Sequence, residues 1–339
     1  MDFLIHKIKS LQEHKTLSKH QRISLAITEA IDAKKLGIGD KLPSINLMVS
    51  KIGYARRTVV KAYEVLKEKG LVASKQNKGY FIVDTNTQIN TKVALVLFAY
   101  QSIQEDFHTV FTEALGATYR VDIFFHHNNI PLFKSILKSI IGNYGKYVVA
   151  PIQNEALIPL LNGLEAQKLL LVDRYINVGP NISYVTQEFQ KNTYSILEDY
   201  KNVIAKYSAI HFIFNPSNDY SPEVLKKVFL EFVTNNSMNH EIYKTMQEDK
   251  VKKGILFFVK NDSCLWPLIK TCKNKGLVVG QDVGVLSYDD NILKELVCEG
   301  ISTISTDFKR MAELAAQHIR ENTLMQEIVP TKMVWRNSL

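Results

Sequence analysis

Seven short apolar runs, spread over the last three quarters of the chain, constrain its fold more than any other feature of the sequence. The runs are VALVLF at 93–98, VDIFF at 121–125, YVVAP at 147–151, LLLVD at 169–173, IHFIF at 210–214, GILFFV at 254–259 and VGVLSY at 283–288. Segments of helical length lie between them, such as 188–206, 221–236 and 263–275. Strands without polar alternation are buried on both faces, which predicts an α/β body of parallel sheets flanked by helices. Roughly 240 residues arranged in this way have room for two lobes.

Polar residues lie at or just after the ends of several of these runs. They are Tyr100 and Gln101, Asp173 and Arg174, Asn215, Asn261 and Asp262, and Asp289 and Asp290. Open α/β sheets bind ligands at the carboxyl ends of their strands, where these residues are predicted to meet. Carboxylates, amides and an arginine can bind sugar hydroxyls, and aromatic rings can cover the apolar face of a sugar. The aromatic candidates are Phe107, Tyr220, Trp266 and Tyr288.

Each of these residues also has a purely structural interpretation. Asp262 can cap the helix that follows it, and Tyr288 can belong to the core. The recurrence of polar residues at the ends of several runs favours a binding cleft. The candidate effector-binding residues are Tyr100, Gln101, Asp173, Arg174, Asn261, Trp266 and Asp289.

The positive charge of the chain is concentrated at its beginning. Residues 1–90 hold 16 of the 42 Lys and Arg residues and 8 of the 34 Asp and Glu residues, which leaves 26 of each in residues 91–339. The first segment therefore carries the whole formal net charge of +8. A basic head on a balanced body indicates a nucleic-acid-binding module attached to a domain with another task.

The basic head begins with two predicted helices. Residues 18–36 place apolar side chains on one helical stripe, with Ser18 as the N-cap and Gly37 as the end signal. Ser44 is expected to cap the second helix. Its sequence, INLMVSKI, is predicted to turn Leu47 and Met48 inward.

A third helix and a hairpin complete the head. Gly53 makes a turn into the stretch YARRTVVKAY, where apolar residues recur at helical spacing, and Gly70 ends the helix. The runs LVASK and YFIV then enclose the turn QNKG, which is typical of a β-hairpin. Three helices followed by a hairpin predict a winged helix-turn-helix. The alternative is a plain three-helix unit with a solvated basic face.

Arg56 and Arg57 lie in the first turn of the third helix, where the macrodipole disfavours cations by about 0.3–1 kcal/mol each. An anion outside the helix would account for them. An arginine that bonds a guanine edge in the major groove gains roughly 1–3 kcal/mol of discrimination, which exceeds this cost. The candidate DNA-binding residues are Ser44, Asn46, Arg56, Arg57, Thr58, Lys61, Gln76, Asn77, Lys78 and Gly79.

Other classes of protein are not supported. No signal peptide or long apolar span is present, so we expect a cytoplasmic protein without a membrane partner. The three cysteines and the scattered histidines show no metal-ligand spacing, and we predict neither a metal nor a cofactor. We expect a DNA-binding domain over 1–83, a linker over 84–91 and an effector-binding domain over 92–339.

The head resembles the DNA-binding domain of GntR-type bacterial regulators. The resemblance runs from Gln21 to Val83 and is strongest in DKLPS at 40–44 and ARRTVVKAYEVLKEKGLV at 55–72. It implies that Arg56, Thr58 and Gly79 contact operator DNA. The head departs from many members at three positions, so it implies no particular operator sequence. These positions are Ile45, Asn46 and Val60.

The body resembles the effector domain of LacI-type repressors and periplasmic sugar-binding proteins. The segments that carry the resemblance are 169–176, 259–291 and 301–319. It implies that Asp173, Asn261 and Asp289 bond the hydroxyls of an effector. Many members have a sugar-binding arginine in a helix that corresponds to 217–232, where this chain has none, and Arg174 is the candidate replacement.

Together these features predict a transcription factor that represses carbohydrate utilisation. Its expected partners are double-stranded operator DNA, a monosaccharide or a derivative of one, and a second copy of the chain, because paired heads fit palindromic operators. One alternative keeps the head and gives the body a non-sugar effector such as a nucleobase. The other is an enzyme fused to a DNA-binding head, but no catalytic motif is present, so we expect no enzyme.

Overall fold

The computed structural model describes residues 2–11, 17–87, 91–215 and 223–339. In the head, the described residues form four α-helices and a hairpin. These elements are α1 Asp2–Ser10, α2 Lys19–Asp32, α3 Ile45–Ile52, α4 Arg56–Glu68, β1 Val72–Lys75 and β2 Gly79–Ile82. Strands β1 and β2 pair antiparallel, which confirms the winged helix-turn-helix. Helix α1 was not predicted from the sequence, and it buries Leu4 and Ile8 in the core of the head.

The capping residues of the head act largely as predicted. Ser18 and Gln21 form a capping box at the start of α2, and the Ser44 hydroxyl accepts the Leu47 N–H at 3.2 Å. Gly53 ends α3 with φ 72°. Helix α2, however, ends at Asp32 and does not extend to Gly37. Lys34 adopts φ 56°, which breaks the helix before the glycine is reached.

The prediction for Leu47 was wrong. Met48 and Ile52 are the buried residues of α3, and they lie four positions apart on one face. Leu47 is rotated about 100° from Met48 around the helix axis, and its side chain is 43% exposed.

The body continues with strands and helices in alternation. Its strands are β3 Thr91–Leu97, β4 Tyr119–Phe125, β5 Lys146–Val149, β6 Leu169–Asp173, β7 Ser183–Gln187, β8 Ala209–Ile213, β9 His240–Tyr243, β10 Ile255–Val259, β11 Gly284–Tyr288, β12 Ser302–Thr306, β13 Gln326–Val329 and β14 Thr331–Val334. Its helices are α5 Ser102–Leu115, α6 Ile130–Ile140, α7 Ile158–Leu161, α8 Lys191–Asp199, α9 Lys201–Ile204, α10 Glu223–Asn235, α11 Asp262–Asn274, α12 Ile292–Leu296 and α13 Phe308–Glu321. Each of the seven apolar runs overlaps one of these strands.

The strands form two six-stranded sheets, one in each lobe. The order in the first lobe is β13-β7-β6-β5-β3-β4, with all pairs parallel. Helices α5 and α13 cover one face of this sheet, and α6 and α7 cover the other. The order in the second lobe is β14-β12-β11-β10-β8-β9, and its pairs are parallel except for β12 and β14. Helices α8 and α10 pack on one face and α11 on the other. This confirms the predicted fold class.

Five strands were not predicted: β7, β9, β12, β13 and β14. Strands β7 and β12 read SYVTQ and STIST, and most of their polar side chains are buried. The Ser302 hydroxyl, for example, donates to the Arg336 carbonyl at 2.9 Å. Hydrogen bonds of this kind let polar residues occupy a core strand, so the apolar pattern is lost.

The chain passes between the lobes three times: after β7, after β12 and between β13 and β14. Gln187, Thr306 and Thr331 lie at these passages and are buried. The Thr306 hydroxyl donates to Gln187 Oε1 at 2.9 Å, and it lies 2.9 Å from the Thr331 hydroxyl. We call these three residues the crossover cluster. It ties all three connections between the lobes together.

The predicted linker is only partly described. Residues 88–90 lie outside the described ranges, and so does the aromatic candidate Tyr220. Asp84 pairs with Arg120 of the first lobe, and the Thr87 hydroxyl donates to Asp32 at 2.5 Å. The domain boundaries themselves stay a prediction. Within the described ranges, no helix combines the length and the apolar character of a membrane span.

Candidate functional site

The first turn of α4 presents its two arginines to solvent. Arg56 and Arg57 are both exposed, and the N-cap residue Ala55 provides no side-chain cap. Arg56 Nη1 donates to Asn46 Oδ1 at 2.5 Å, which links α4 to α3. Among the described residues, neither arginine is within 4 Å of a carboxylate oxygen. The helix terminus and both guanidinium groups therefore form a basic surface that an anion can reach.

The other DNA-binding candidates of the helices lie close by in sequence and structure. Lys61 is exposed four residues after Arg57, on the same side of α4, and Thr58 is half-buried. Ser44 is exposed, but its hydroxyl already caps α3. The DNA contacts of these residues stay a prediction.

The hairpin places the remaining candidates at its tip. Gln76, Asn77 and Lys78 are exposed, and the Lys78 N–H donates to the Lys75 carbonyl at 3.0 Å to close the turn. Asn77 and Gly79 adopt φ 56° and 102°. The left-handed backbone at both residues lets the strands reverse in a tight turn.

A cavity of about 330 Å³ opens between the two lobes. The carboxyl ends of β6, β10 and β11 and the first turns of α5 and α11 surround it. Its lining residues are Phe98, Gln101, Ser102, Ile103, Gln104, Asp173, Arg174, Gln187, Phe189, Lys260, Asn261, Asp262, Ser263, Tyr288, Asp289, Asn291, Lys294 and Phe308. We call this cavity the cleft.

The structure brings five of the seven effector candidates together in the cleft: Gln101, Asp173, Arg174, Asn261 and Asp289. It places the other two elsewhere. Tyr100 is 67% exposed and its ring contacts Phe125, while Trp266 packs against the core of the second lobe. Of the other aromatic candidates, Tyr288 lines the cleft and Phe107 is buried beneath it in the first lobe.

Several lining residues were missed in the sequence. Lys260 immediately follows β10, so the strand-end rule would have found it. Gln187 ends β7, a strand whose polar pattern hid it. Lys294 and Phe308 lie on helices after the strand ends, and only the folded chain shows that they reach the cleft.

Two aspartates of the cleft hold an unusual backbone. Asp173 ends β6 in the first lobe and Asp289 follows β11 in the second, with φ 64° and 60°. L-residues other than glycine seldom adopt this region, and such positions cluster at binding sites. Each lobe thus contributes one aspartate in this conformation to the cleft lining.

The charged groups of the cleft neutralise one another. Lys260 Nζ lies 2.5 Å from Asp289 Oδ2. Lys294 Nζ lies 2.8 Å from Asp262 Oδ1 and donates to two backbone carbonyls, Tyr288 O at 2.9 Å and Asp289 O at 2.7 Å. Burial lowers the pKa of Lys294, and its carboxylate partner opposes that effect. Its three N–H groups have three acceptors, so its role is to shape the cleft wall.

Arg174 and Asp173 supply the remaining opposite charges of the cleft lining. The Arg174 guanidinium lies 5.5 Å from the centre of the Phe189 ring. Burial raises the pKa of Asp173, while Arg174 and a hydrogen bond from the Gln187 amide oppose the rise. By formal charge, the three cations of the lining, Arg174, Lys260 and Lys294, equal its three carboxyl groups, Asp173, Asp262 and Asp289, in number.

Two buried acceptors in the cleft remain open. Asp289 Oδ1 and Gln104 Oε1 have no hydrogen-bond partner among the described residues. A buried acceptor without a donor costs about 1–3 kcal/mol, so a ligand that supplies hydroxyl donors would recover that energy. Aromatic rings of Phe98, Phe189 and Phe308 line the same space.

The head also contacts the first lobe directly. Lys168 Nζ lies 2.6 Å from Glu68 Oε1 at the end of α4 and 2.8 Å from Glu165 Oε1. The same cation thus bridges the helix that carries the arginines and the domain that contains the cleft.

Comparison with known proteins agrees with both halves of this structure. Residues 19–82 match the family described as bacterial regulatory proteins of the gntR family, and residues 204–339 match the periplasmic binding protein-like domain. No curated protein matches the sequence.

Solved structures share the fold. A dimeric lac repressor with a C-terminal deletion has a TM-score of 0.61 at 13% identity, and a LacI family regulator from Weissella paramesenteroides with bound sucrose has 0.57 at 14%. A periplasmic binding protein/LacI regulator from Alkaliphilus metalliredigens, complexed with D-xylulofuranose, has 0.57 at 13%. Each match covers 73% of this chain and 98% of the other.

A winged helix-turn-helix joined to a two-lobed ligand-binding fold defines a DNA-binding transcription regulator. Within that class, the chain combines a head that matches the gntR family of bacterial regulatory proteins with a body that matches the periplasmic binding protein-like domain and shares the fold of LacI-type regulators.

Proposed function

We propose that this regulator represses genes of carbohydrate utilisation and that an uncharged sugar or sugar derivative in the cleft controls its binding to operator DNA. The DNA contacts are those of α4 and the hairpin tip, made by two copies of the chain on the two halves of a palindrome. Sugar binding closes the lobes and changes the spacing of the two heads.

One observation carries the choice of effector: the cleft is charge-balanced but has open acceptors. Its opposite formal charges balance in number and offer no net attraction to an ion, whereas Asp289 Oδ1 and Gln104 Oε1 need donors. A polyhydroxyl ring supplies donors to these atoms and an apolar face to rings such as Phe189. The sucrose and D-xylulofuranose in two of the similar structures support this choice.

The crossover cluster supplies a route from the ligand to the lobe arrangement. The Gln187 amide donates to Asp173 in the cleft, and its oxygen accepts from Thr306. A ligand that engages Asp173 therefore acts on a side chain that also holds the lobe connections. Control requires that the sugar bind the closed state more tightly than the open state.

The homodimer is part of this proposal. Helix α12 exposes Ile292, Leu293 and Leu296, whose side chains are 61%, 54% and 70% accessible. An apolar surface of this kind is typical of a protein interface. Sedimentation of the full chain should show a dimer, and Leu296→Glu should shift it toward the monomer if α12 lies in the interface.

Calorimetry of the full chain against pentoses, hexoses, sucrose and purine bases tests the effector. We expect at least one sugar to bind and to change DNA affinity. Asp289→Ala should remove that binding, because it deletes an open acceptor. The matched control is Asp282→Ala, which breaks a surface ion pair with Lys253 in the same lobe and should leave binding intact. If purine bases bind and no sugar does, the effector is a nucleobase and not a sugar.

A further inference from the structure

Strand β2 of the hairpin has a second backbone partner besides β1. Lys41 forms an antiparallel bridge with Phe81. The Leu42 N–H donates to the Tyr80 carbonyl at 2.9 Å, and the Ile82 N–H donates to the Asp40 carbonyl at 2.9 Å. The short segment before α3 therefore pairs with β2 on the side opposite β1.

The register of this sheet assigns its residues to two faces. Residues opposite each other share a face, and so do residues two apart on a strand. Leu42, Val72 and Ile82 are buried in the core of the head. The opposite face, which we call the outer wing face, contains Lys41, Lys75, Gly79 and Phe81.

Two ammonium groups of the outer wing face share one aromatic ring. Lys75 Nζ lies 5.1 Å and Lys41 Nζ 6.0 Å from the centre of the Phe81 ring. The Lys41 stem covers Gly79, since a Cβ on that glycine would lie 3.3 Å from Lys41 Cε. Both lysines are exposed, and among the described residues neither has a carboxylate oxygen within 4 Å. The fold thus gathers two like charges on one ring without an acidic partner.

We propose that the outer wing face is a second DNA-contact surface, in which Lys41 and Lys75 bind backbone phosphates beside the site read by α4. The proposal rests on the DNA binding proposed for the head. A polyanion is the occupant that fits, because the face continues the basic tip at Lys78 and offers cations without hydrogen-bond acceptors. The Phe81 ring holds both stems in place, so the two ammonium groups are presented as a unit.

Phosphate contacts are independent of sequence and release counterions, which gives them a specific signature. The experiment measures the affinity of the full chain for a 30-base-pair duplex of random sequence, by fluorescence anisotropy over a series of salt concentrations. For each head that is bound to DNA, Lys41→Gln and Lys75→Gln should each reduce the magnitude of the slope of log K against log salt by about 0.9, and the double variant by about 1.8. The decrease in slope should be the same on a second duplex of unrelated sequence.

Two controls separate contact from charge and from folding. Lys34→Gln removes the same charge from an exposed position after α2 and should leave the slope within error of the wild type. Lys41→Arg keeps the cation and should restore the slope. The thermal midpoints of all variants should agree, because the substituted side chains are exposed.

A double variant with the wild-type slope would overturn the proposal, and so would an equal loss in Lys34→Gln. Loss of binding to one duplex sequence only would also overturn it, because phosphate contacts do not distinguish sequences. Failure of the underlying function looks different: the wild-type chain would then bind neither duplex at any salt concentration. Tight binding of an acidic peptide, together with no effect of the variants on DNA, would assign the face to a protein partner.

Discussion

The head and the cleft differ in the exposure and the ion pairing of their cationic side chains. In the head, Arg57, Lys61 and Lys78 are exposed and have no carboxylate within ion-pair distance among the described residues. In the cleft, Lys260 and Lys294 each have an aspartate oxygen within 2.8 Å. A solvent-exposed cation gains little free energy from an ion pair, whereas a buried cation destabilises the fold unless a carboxylate pairs with it. The difference indicates a surface complementary to a polyanion and a cavity complementary to an uncharged ligand.

The body also contains a buried histidine, His126, that is neutral at pH 7 because burial lowers its pKa. His126 is fully buried near the carboxyl end of β4, and its Nε2 lies 3.1 Å from the Ala150 carbonyl oxygen. Burial lowers its pKa to about 4, and the neighbouring side chains of His127 and Arg174 act in the same direction. Protonation of this ring would place a charge in the core of the first lobe.

The largest expected effect follows from this histidine. The unfolded chain binds the proton near pH 6.5 and the folded chain near pH 4, so its contribution to stability is complete above pH 6.5 and is lost as the pH falls. The loss should approach about 3 kcal/mol near pH 4. Urea unfolding followed by circular dichroism at pH 7.5 and 4.5 measures it. His126→Gln keeps an amide donor and acceptor but does not titrate, so it should flatten the pH dependence. Equal pH dependence in both proteins would contradict the burial argument.

The second effect concerns the pairing inside the cleft. Lys294→Met should lower the free energy of unfolding by about 2–4 kcal/mol, because it removes the donor to two buried carbonyls as well as the partner of Asp262. The matched control is Lys253→Met, which breaks the 2.8 Å pair with Asp282 at a lysine side chain that is 76% exposed. The control should change stability by less than about 1 kcal/mol. Similar losses in both variants would mean that burial does not distinguish the two pairs.

The same contrast explains what could be predicted from the sequence. Fold class and the α4 arginines follow from local patterns: apolar runs, caps and the sign of charge near a helix start. Asp173 and Asp289 follow from their place at strand ends. Lys294 could not be predicted, since it lies six residues after its strand and reaches the cleft through α12. The crossover cluster was also hidden, because polar strands such as β7 and β12 are indistinguishable from loops until their hydrogen bonds are known.

The third effect tests the unpaired cations of the head. Arg56→Ala should weaken specific DNA binding by about 1–3 kcal/mol while changing the free energy of unfolding by less than about 0.5 kcal/mol. A duplex selected by the protein from a random-sequence pool serves as the operator in a gel-shift titration. Lys51→Ala is the control, because it removes an exposed cation near the end of α3. An unchanged shift for Arg56→Ala would remove this residue from the recognition surface, and the hydrogen bond to Asn46 would then be its main role.

The smallest effect is expected at the contact between the head and the first lobe. Lys168 is the cation that joins the end of α4 to the first lobe, with its side chain 23% exposed and that of Glu68 34% exposed. Lys168→Met should cost less than about 1 kcal/mol of stability, as for other ion pairs near the surface. The control is Lys201→Met, which breaks the 3.1 Å pair with Glu198 within the second lobe.

Measurements of DNA affinity test whether the Lys168–Glu68 ion pair orients α4. If Lys168 fixes the orientation of α4 relative to the body, its loss should change the affinity for the selected duplex and reduce the effect of a bound sugar on it, while Lys201→Met should change neither. If the two variants behave alike in both measurements, the head is coupled to the cleft through its covalent connection and the Asp84–Arg120 pair, and the cation at the end of α4 only neutralises Glu68 and Glu165.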